Sequence, residues 1–391
     1  MIGGGQSGLA AARALRRQGL EPVVLEAADR PAGSWPRYHD SLTLFSPAGY
    51  SSLPGTPFGG DPDRYPHRGE VVAYLLRYAD RLDADIRTGM RVAEIRAADS
   101  AFALVLEGGG ELYARGVVAA SGTFGRPHRP ALPGLEDFAG TVLHAAEYRM
   151  PEPFAGQRVV VVGAGNSAVQ IAAELAAHAR VTLATRHPVR FAAQRTLGQD
   201  LHWWLKRIGA DTLPLGQFLR TPPTQLVIDD GRYRAAVAAG APDRRQLFTG
   251  IDGTKVTWAD GSSEEVDTIL LATGYRPDLG YLAPLGALDE HGRPLHREGV
   301  SLTHPSLAYV GLEWQRSLPR TPSAGSAGTR TGSHNGWRRT CAEADEAADP
   351  GRSGSTYVNI DVCRTSRRCR CWSPRLPRAS CRAARRLPSG R

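Results

Sequence analysis

Two clusters of small residues carry the clearest chemistry in this chain. Gly3-x-Gly5-x-x-Gly8 stands at the start, directly before a helical pattern running from Leu9 to Gln18. Glycines at this spacing let a strand turn sharply into a helix, let backbone approach a pyrophosphate, and let helix and strand pack closely. The helix N-terminus then offers free amides and the positive end of its dipole to phosphate. Glu26 follows Gly8 by 18 residues, at the end of the apolar run Pro22–Leu25, where a carboxylate can accept ribose hydroxyls. The bland alternative is a glycine-rich chain start with no ligand. Gly163-x-Gly165-x-x-Ala168 repeats the pattern 160 residues later. Its strand Arg158–Val162 is complete, and its second strand ends in Thr185-Arg186 in place of an acid. A guanidinium there suits a 2′-phosphate, although a solvated strand end would read the same way.

Other chemistries are excluded by count. All five cysteines (Cys341, Cys363, Cys369, Cys371, Cys381) lie beyond residue 317, so the body has no disulfide framework, thiolate metal site or redox Cys pair. Cys369-x-Cys371 and the irregular gaps around it match no common zinc spacing. The net charge of +9 at first suggests nucleic acid or an anionic membrane. However, residues 318–391 hold 15 Arg and 5 acids, whereas residues 1–317 hold 33 bases and 34 acids. The basic character therefore belongs to the tail, and no nucleic-acid partner is expected. No apolar run is long enough to span a bilayer, and the N-terminal pattern carries Arg13, Arg16 and Arg17 with no signal-peptide core. No membrane association and a cytoplasmic location are expected.

The elements needed to position these residues are legible. A helix is expected over Val71–Leu82 and short strands over Val92–Ile95, Phe102–Leu106 and Val117–Ala120. The turn Gly163–Ala168 precedes a helix over Val169–His178 and a strand over Arg180–Arg186. Later strands are expected at Lys255–Trp258, Glu265–Asp267, Thr268–Gly274 and Leu307–Gly311. The fold class is α/β: two Rossmann-like dinucleotide-binding domains, the second inserted in the first. Residues 1–149 and 276–317 form one domain and residues 150–275 the other. Residues 318–391 contain only six Leu, Ile or Val and are expected to be disordered. Trp203 and Trp204 are adjacent, so a helix points them about 100° apart, and packing is the expected role.

Phe138-x-Gly140-x-x-x-His144-x-x-x-Tyr148, just before the second cluster, resembles the signature of the flavin-containing monooxygenases. Gly33-Ser34-Trp35, Leu44–Pro47, Tyr50–Pro54 and Gly165–Ala168 resemble segments of the bacterial members. Because Tyr148-Arg149 stands where the Baeyer–Villiger branch has Trp followed by Pro or Asp, the resemblance points to oxygenation of nitrogen or sulfur, or to the auxin-forming enzymes. It covers residues 1–317 and implies FAD and NADPH as cofactors, with a small-molecule substrate and O2. In such enzymes NADPH reduces FAD, and a C4a-hydroperoxyflavin oxygenates a small nitrogen-, sulfur- or carbonyl-containing substrate. The flavin carries the chemistry, so no catalytic side chain and no metal are expected. Carried over residue by residue, the FAD contacts are Gly3, Gly5, Gln6, Ser7, Gly8, Glu26, Ser34, Trp35, Val92, Ser121, Gly122 and Gln315. The NADPH contacts are Gly163, Gly165, Asn166, Ser167, Ala168 and Arg186, with Thr273 and Gly274 where the chain crosses back. Phe138, Gly140, His144 and Tyr148 form a linker coupling the two domains, with His144 structural rather than a general base.

Two competitors and two defects belong to this reading. Disulfide reductases share the two-nucleotide plan but need a Cys pair beside the flavin, which residues 1–317 do not supply. An FAD/NAD(P)H oxidoreductase or oxidase without oxygen insertion, or an inactive NADPH-binding remnant, is the other. Only Met1 and Ile2 precede the first glycines, and the pattern after Ser317 changes to Arg, Pro, Ser, Gly and Cys. A late start codon and a frameshift near residue 317 are expected on those grounds.

Overall fold

The computed structural model describes residues 1–208, 226–313 and 315. The expectation for the tail lies outside the described residues; Gln315 precedes it.

Helix α1 (Gln6–Arg17) lays Leu9, Ala10, Ala11, Ala12 and Leu15 against the first core, with Arg16 and Arg17 complementing the dipole at its C-terminus. The chain returns through the strand Val23–Leu25, which pairs in parallel with Asp85–Arg87. The stub before the glycines joins this sheet to the next strands. Ile2 bridges Leu25 on one side and Ala119 on the other, both in parallel. Ile2 N–H donates to the Val118 carbonyl at 2.9 Å and Gly3 N–H to the Leu25 carbonyl at 2.8 Å. The sheet continues through Val117–Ala119 to Leu307–Tyr309, Val300–Ser301 and His296–Arg297. One bridging residue thus does the work of a central strand. Helix α2 (Arg68–Asp80) closes the same core with Val71, Tyr74, Leu75 and Tyr78.

The second unit is a five-stranded, wholly parallel sheet. Its order is Asp243–Gln246, Arg180–Thr185, Arg158–Val162, Thr268–Leu271, Thr141–His144. Both faces are covered, which explains the unbroken valine run at Arg158–Val162. Val159 and Val161 meet helix α3 (Asn166–Leu175), while Val160 and Val162 meet Phe248, Val256 and Trp258. The two units repeat one plan, each with a three-stranded antiparallel sheet before its closing strand: Val92–Ala98, Ala101–Leu106 and Glu111–Ala114 in the first, and Gly250–Asp252, Lys255–Thr257 and Ser263–Glu265 in the second.

Three boundaries differ from the sequence reading. Both helices begin within the glycine turns, α1 at Gln6 and α3 at Asn166, because Gly5 and Gly165 are the N-caps and Gly8 and Ala168 already sit inside the first turn. The strand expected at Glu265–Asp267 is Ser263–Glu265. Thr141–His144, placed by sequence in the first unit, is the edge strand of the second sheet. Its partner Thr268–Leu271 is more than 120 residues away in sequence, so local pattern carries no trace of the pairing.

A buried ion pair holds the second sheet at its N-terminal edge. Arg158 grips Glu264 with two hydrogen bonds of 2.7 Å, and also reaches Thr182 Oγ1 (2.6 Å) and the Arg180 carbonyl (3.0 Å). The side chains are 10% and 27% exposed. The guanidinium holds the Glu264 carboxyl below its ordinary value of 4.5. Because the folded pKa is the lower one, this stabilisation is complete above the unfolded value and is lost as pH falls through the folded value. Glu264→Ala should lose about 2–3 kcal/mol at neutral pH, since it strands a buried guanidinium. It should also flatten the acid limb of the stability curve. Urea midpoints at pH 7 and pH 4 check both effects.

Candidate functional site

Both glycine turns are built by direct approach of backbone to backbone. Gly3 has φ +105°, and a Cβ on it would lie 2.5 Å from the Ala120 carbonyl oxygen. A Cβ on Gly8 would overlap the Gly3 carbonyl outright. In the second turn Gly163, at φ +147°, has the same relation to the Ala272 carbonyl, and Ala168 fills the place of Gly8. Gly122 (φ +76°) and Gly274 (φ +84°) close the pattern one turn beyond each carbonyl. Neither α1 nor α3 has a side-chain N-cap or an acid in its first turn. Two helix ends with uncapped amides and glycine approaches fit the pyrophosphates of two dinucleotides.

Glu26 is buried and aimed at the first turn. Its two oxygens accept from the amides of Gly4 (2.6 Å) and Ala28 (2.8 Å), and each keeps a lone pair for a ribose hydroxyl. Ser121 hydrogen-bonds the half-buried Tyr281 hydroxyl at 3.1 Å, and Thr273 donates to the His128 carbonyl. Ser7 packs against Gly311, a glycine following the last strand as Gly122 and Gly274 follow theirs; sequence reading left Gly311 out although that signal was present. Val92 is buried in the apolar cluster with Ile2 and Leu25, while its neighbour Met90 donates to the Glu26 carbonyl at 2.9 Å. Gln315 turns inward, its amide donating to the Tyr309 carbonyl and its Oε1 left without a partner among the described residues.

Arg186 is exposed beyond the end of Arg180–Thr185, beside the Gly163 turn, and Ser167 is exposed in the first turn of α3. Asn166 is a different case. Its Oδ1 accepts from Ile228 N–H (3.0 Å) and its Nδ2 donates to the Leu226 carbonyl (3.2 Å). Its side chain pins the strand Val227–Asp229 to α3, a contact 60 residues distant that sequence spacing does not reveal.

Between the turns runs a row of rings. Trp35 donates from Nε1 to Gln6 Oε1 at 3.0 Å and meets Tyr38 edge-on at 5.4 Å. Tyr38 meets Phe124 at 6.2 Å, Phe124 meets Tyr275 at 5.2 Å, and Tyr275 meets His144 at 5.0 Å. The Trp35 end was visible in sequence; Tyr38, Phe124 and Tyr275 come from separate segments and were not. Burial raises the phenols of Tyr38 and Tyr275. His144 is fully buried, its Nδ1 accepting from Ala146 N–H (3.1 Å). Nε2 is 3.1 Å from the Gly274 carbonyl and therefore carries the proton. Burial pushes its pKa down, so His144 is a neutral strut rather than a base. Phe138 and Gly140 pack on each other, and Tyr148 donates to Glu174 Oε2 on α3 at 2.8 Å. Trp203 and Trp204, in helix α4 (Leu201–Arg207), meet edge-on at 4.8 Å, and Trp204 bonds the Thr196 carbonyl of its own hairpin.

Fold and site together define a two-nucleotide oxidoreductase, its two dinucleotide turns joined by a row of rings. Residues 1–210 match the pyridine nucleotide-disulphide oxidoreductase family. A flavin-containing monooxygenase of Stenotrophomonas maltophilia superposes with a TM-score of 0.72 at 34% identity, over 83% of this chain and 93% of that one. An indole-3-pyruvate monooxygenase of rice is 31% identical over 339 residues, 77% of this chain and 81% of the relative. A CzcO-like oxidoreductase of Geobacillus kaustophilus is 31% identical over 321 residues, 81% of this chain and 90% of the relative. The chain belongs to the pyridine nucleotide-disulphide oxidoreductase family, and within it to the flavin-dependent monooxygenases. It is an enzyme using a flavin and a nicotinamide nucleotide. No helix among the described residues is long and apolar enough to cross a membrane.

The glycine geometry gives a direct test. Gly8→Ala should yield protein with less than about a tenth of the wild-type flavin, because the methyl group cannot coexist with the Gly3 carbonyl. Gly19→Ala, at φ +74° in open space, should cost only about 1 kcal/mol and keep its flavin. The visible absorbance per protein after gel filtration separates the two.

Proposed function

We propose that the first turn holds FAD and the second NADPH, and that one atom of O2 enters a small nitrogen-, sulfur- or carbonyl-containing substrate while the other leaves as water. The FAD unit comprises residues 1–125 and 277–315 and the NADPH unit residues 128–274. The ribbon between them pairs Arg126–Pro127 with Tyr275–Arg276. FAD is held by Gly3, Gly5, Gly8 and α1 at its pyrophosphate, by Glu26 at its ribose, and beside Trp35 at its ring. NADPH is held by Gly163, Gly165, Ala168 and α3, with Arg186 at its 2′-phosphate.

The observation that carries this reading is the pair of glycine cradles joined by the aromatic row. A second observation favours the phosphate-rich cofactor. Arg126 and Arg276 are direct cross-strand partners with no acidic partner among the described residues, a repulsive pairing that an anion relieves. His128, next in the chain, has its pKa lowered by burial and then by Arg276 and Arg186.

Bound flavin supplies the hydride acceptance and O2 activation that no side chain offers. The protein binds, orients and keeps the cleft dry. Trp35, Tyr38, Phe124 and Tyr275 form an apolar wall between the turns, and the neutral His144 fixes the carbonyl of Gly274. Residues 1–315 contain no cysteine, so no thiol pair in them takes electrons from the flavin. The name of the rice relative makes an aromatic 2-oxo acid a first substrate to try.

Purified protein should show a flavin spectrum, consume O2 with NADPH, and place ¹⁸O from ¹⁸O2 in an accepted substrate. A flavin-loaded protein that gives only peroxide across nitrogen, sulfur and carbonyl substrates would overturn the substrate reading. Arg186→Gln should raise KM for NADPH about tenfold, about 1.4 kcal/mol, and leave KM for NADH unchanged. Equal effects on both would remove Arg186 from the 2′-phosphate.

A further inference from the structure

The loop after Trp35 is gripped twice at the same place. Arg68, the first residue of α2, donates from Nη1 to the carbonyls of Pro36 (3.1 Å) and Tyr38 (2.9 Å), and pairs through Nη2 with Asp40 at 2.9 Å. Arg149 donates from its own Nη1 to the same two carbonyls, at 3.0 and 2.7 Å. The Arg149 carbonyl accepts from Asp40 N–H at 2.9 Å. His39, enclosed between these groups, has its pKa pushed down to about 4 by burial and then by Arg68. It therefore adds no charge near neutral pH, and the Asp40 carboxylate is paired with Arg68.

Arg68 alone satisfies both carbonyls, and it belongs to the same unit as the loop. A second, like-charged group on the same acceptors adds little to local stability. What it adds is an origin. Arg149 follows Tyr148, whose ring is buried and whose hydroxyl bonds Glu174 on α3. Helix α3 carries the second glycine turn at its other end. On the far side, the loop is tied through Trp35 to Gln6 at the start of α1, in the first turn. Hydrogen bonds and short chain segments therefore run without a gap from α3 through Glu174, Tyr148 and Arg149 to the loop carbonyls, Trp35 and α1.

We propose that Arg149 is a positioning residue that makes the order of loop 35–42 depend on occupancy of the second nucleotide turn. Arg68 is the fixed anchor of this loop, and Arg149 is the link that reports on the other unit. The proposal rests on the reading of the second turn as the NADPH site. Both bonds leave one nitrogen, Nη1, whose two hydrogens are fixed in the guanidinium plane, a geometry that a freely rotating ammonium on a flexible stem does not hold.

Hydrogen exchange of the peptide 35–42 tests it, since the amides of Arg37, Tyr38, Asp40 and Leu42 are all hydrogen-bonded. Saturating NADP+ should slow wild-type exchange in this peptide about fivefold or more, within the usual range for coupled sites. Arg149→Gln should abolish that slowing while its NADP+ Kd, by titration calorimetry, stays within about threefold of wild type. Arg149→Lys, which retains charge without the planar, fixed donor pair, should recover only part of the slowing. Arg68→Lys should speed exchange with and without NADP+ but keep the NADP+-dependent step. Slowing in Arg149→Gln equal to wild type, or NADP+ binding to wild type with no slowing, overturns the proposal alone. Failure of wild type to bind NADP+ overturns the reading of the second turn and the proposal with it.

Discussion

Everything in this molecule depends on two places where a helix crosses a strand with no side chain larger than a methyl group between them. Gly8 lies on the Gly3 carbonyl, and Gly3 and Gly163 lie on the carbonyls of Ala120 and Ala272. The close approach brings the uncapped amides of α1 and α3 to the carboxyl ends of their sheets. A methyl group at Gly8 or Gly163 would push helix and strand apart, and the positive N-terminus would no longer face the crevice where a phosphate lies. The parallel second sheet, whose strand ends lie in register, exists to present that edge.

The two turns become one site because the units share more than a linker. The ribbon Arg126–Pro127 with Tyr275–Arg276 passes between them, and the ring row from Trp35 to His144 spans the same gap. Burial keeps every titratable ring in this row uncharged, with phenols raised and His144 lowered. A wall without charge suits a reaction in which water is the competing nucleophile. The chemistry is thereby left to the bound cofactors, and the absence of cysteine from residues 1–315 sets this chain apart from thiol-based electron transfer despite the name of its family.

Much of the fold was legible because its signals are local. The glycine spacings, the valine run at Arg158–Val162 and the helical patterns each declare themselves within a dozen residues. What stayed illegible follows from the same rule. Thr141–His144 pairs with the second sheet through a partner distant in sequence, and the side-chain contact of Asn166 lies 60 residues on. Ile2 bridges Leu25 on one side and Ala119 on the other, pairings that its local sequence does not announce. Gly33 was quoted only as part of a motif. In the fold its Cα sits against Gly5, so that a Cβ there would lie 2.8 Å away.

By itself, then, the sequence determined which residues could bend backbone around phosphate, which end of a strand was acidic and which basic, and that no thiol chemistry was present in the body. These are properties of residue type at short spacing. Only the tertiary structure decided that His144 is a neutral strut, that four rings from three segments form one row, and that Arg68 and Arg149 converge on the carbonyls of Pro36 and Tyr38. Those facts depend on burial and on contacts between residues tens to more than a hundred positions apart, and neither quantity is written in local pattern.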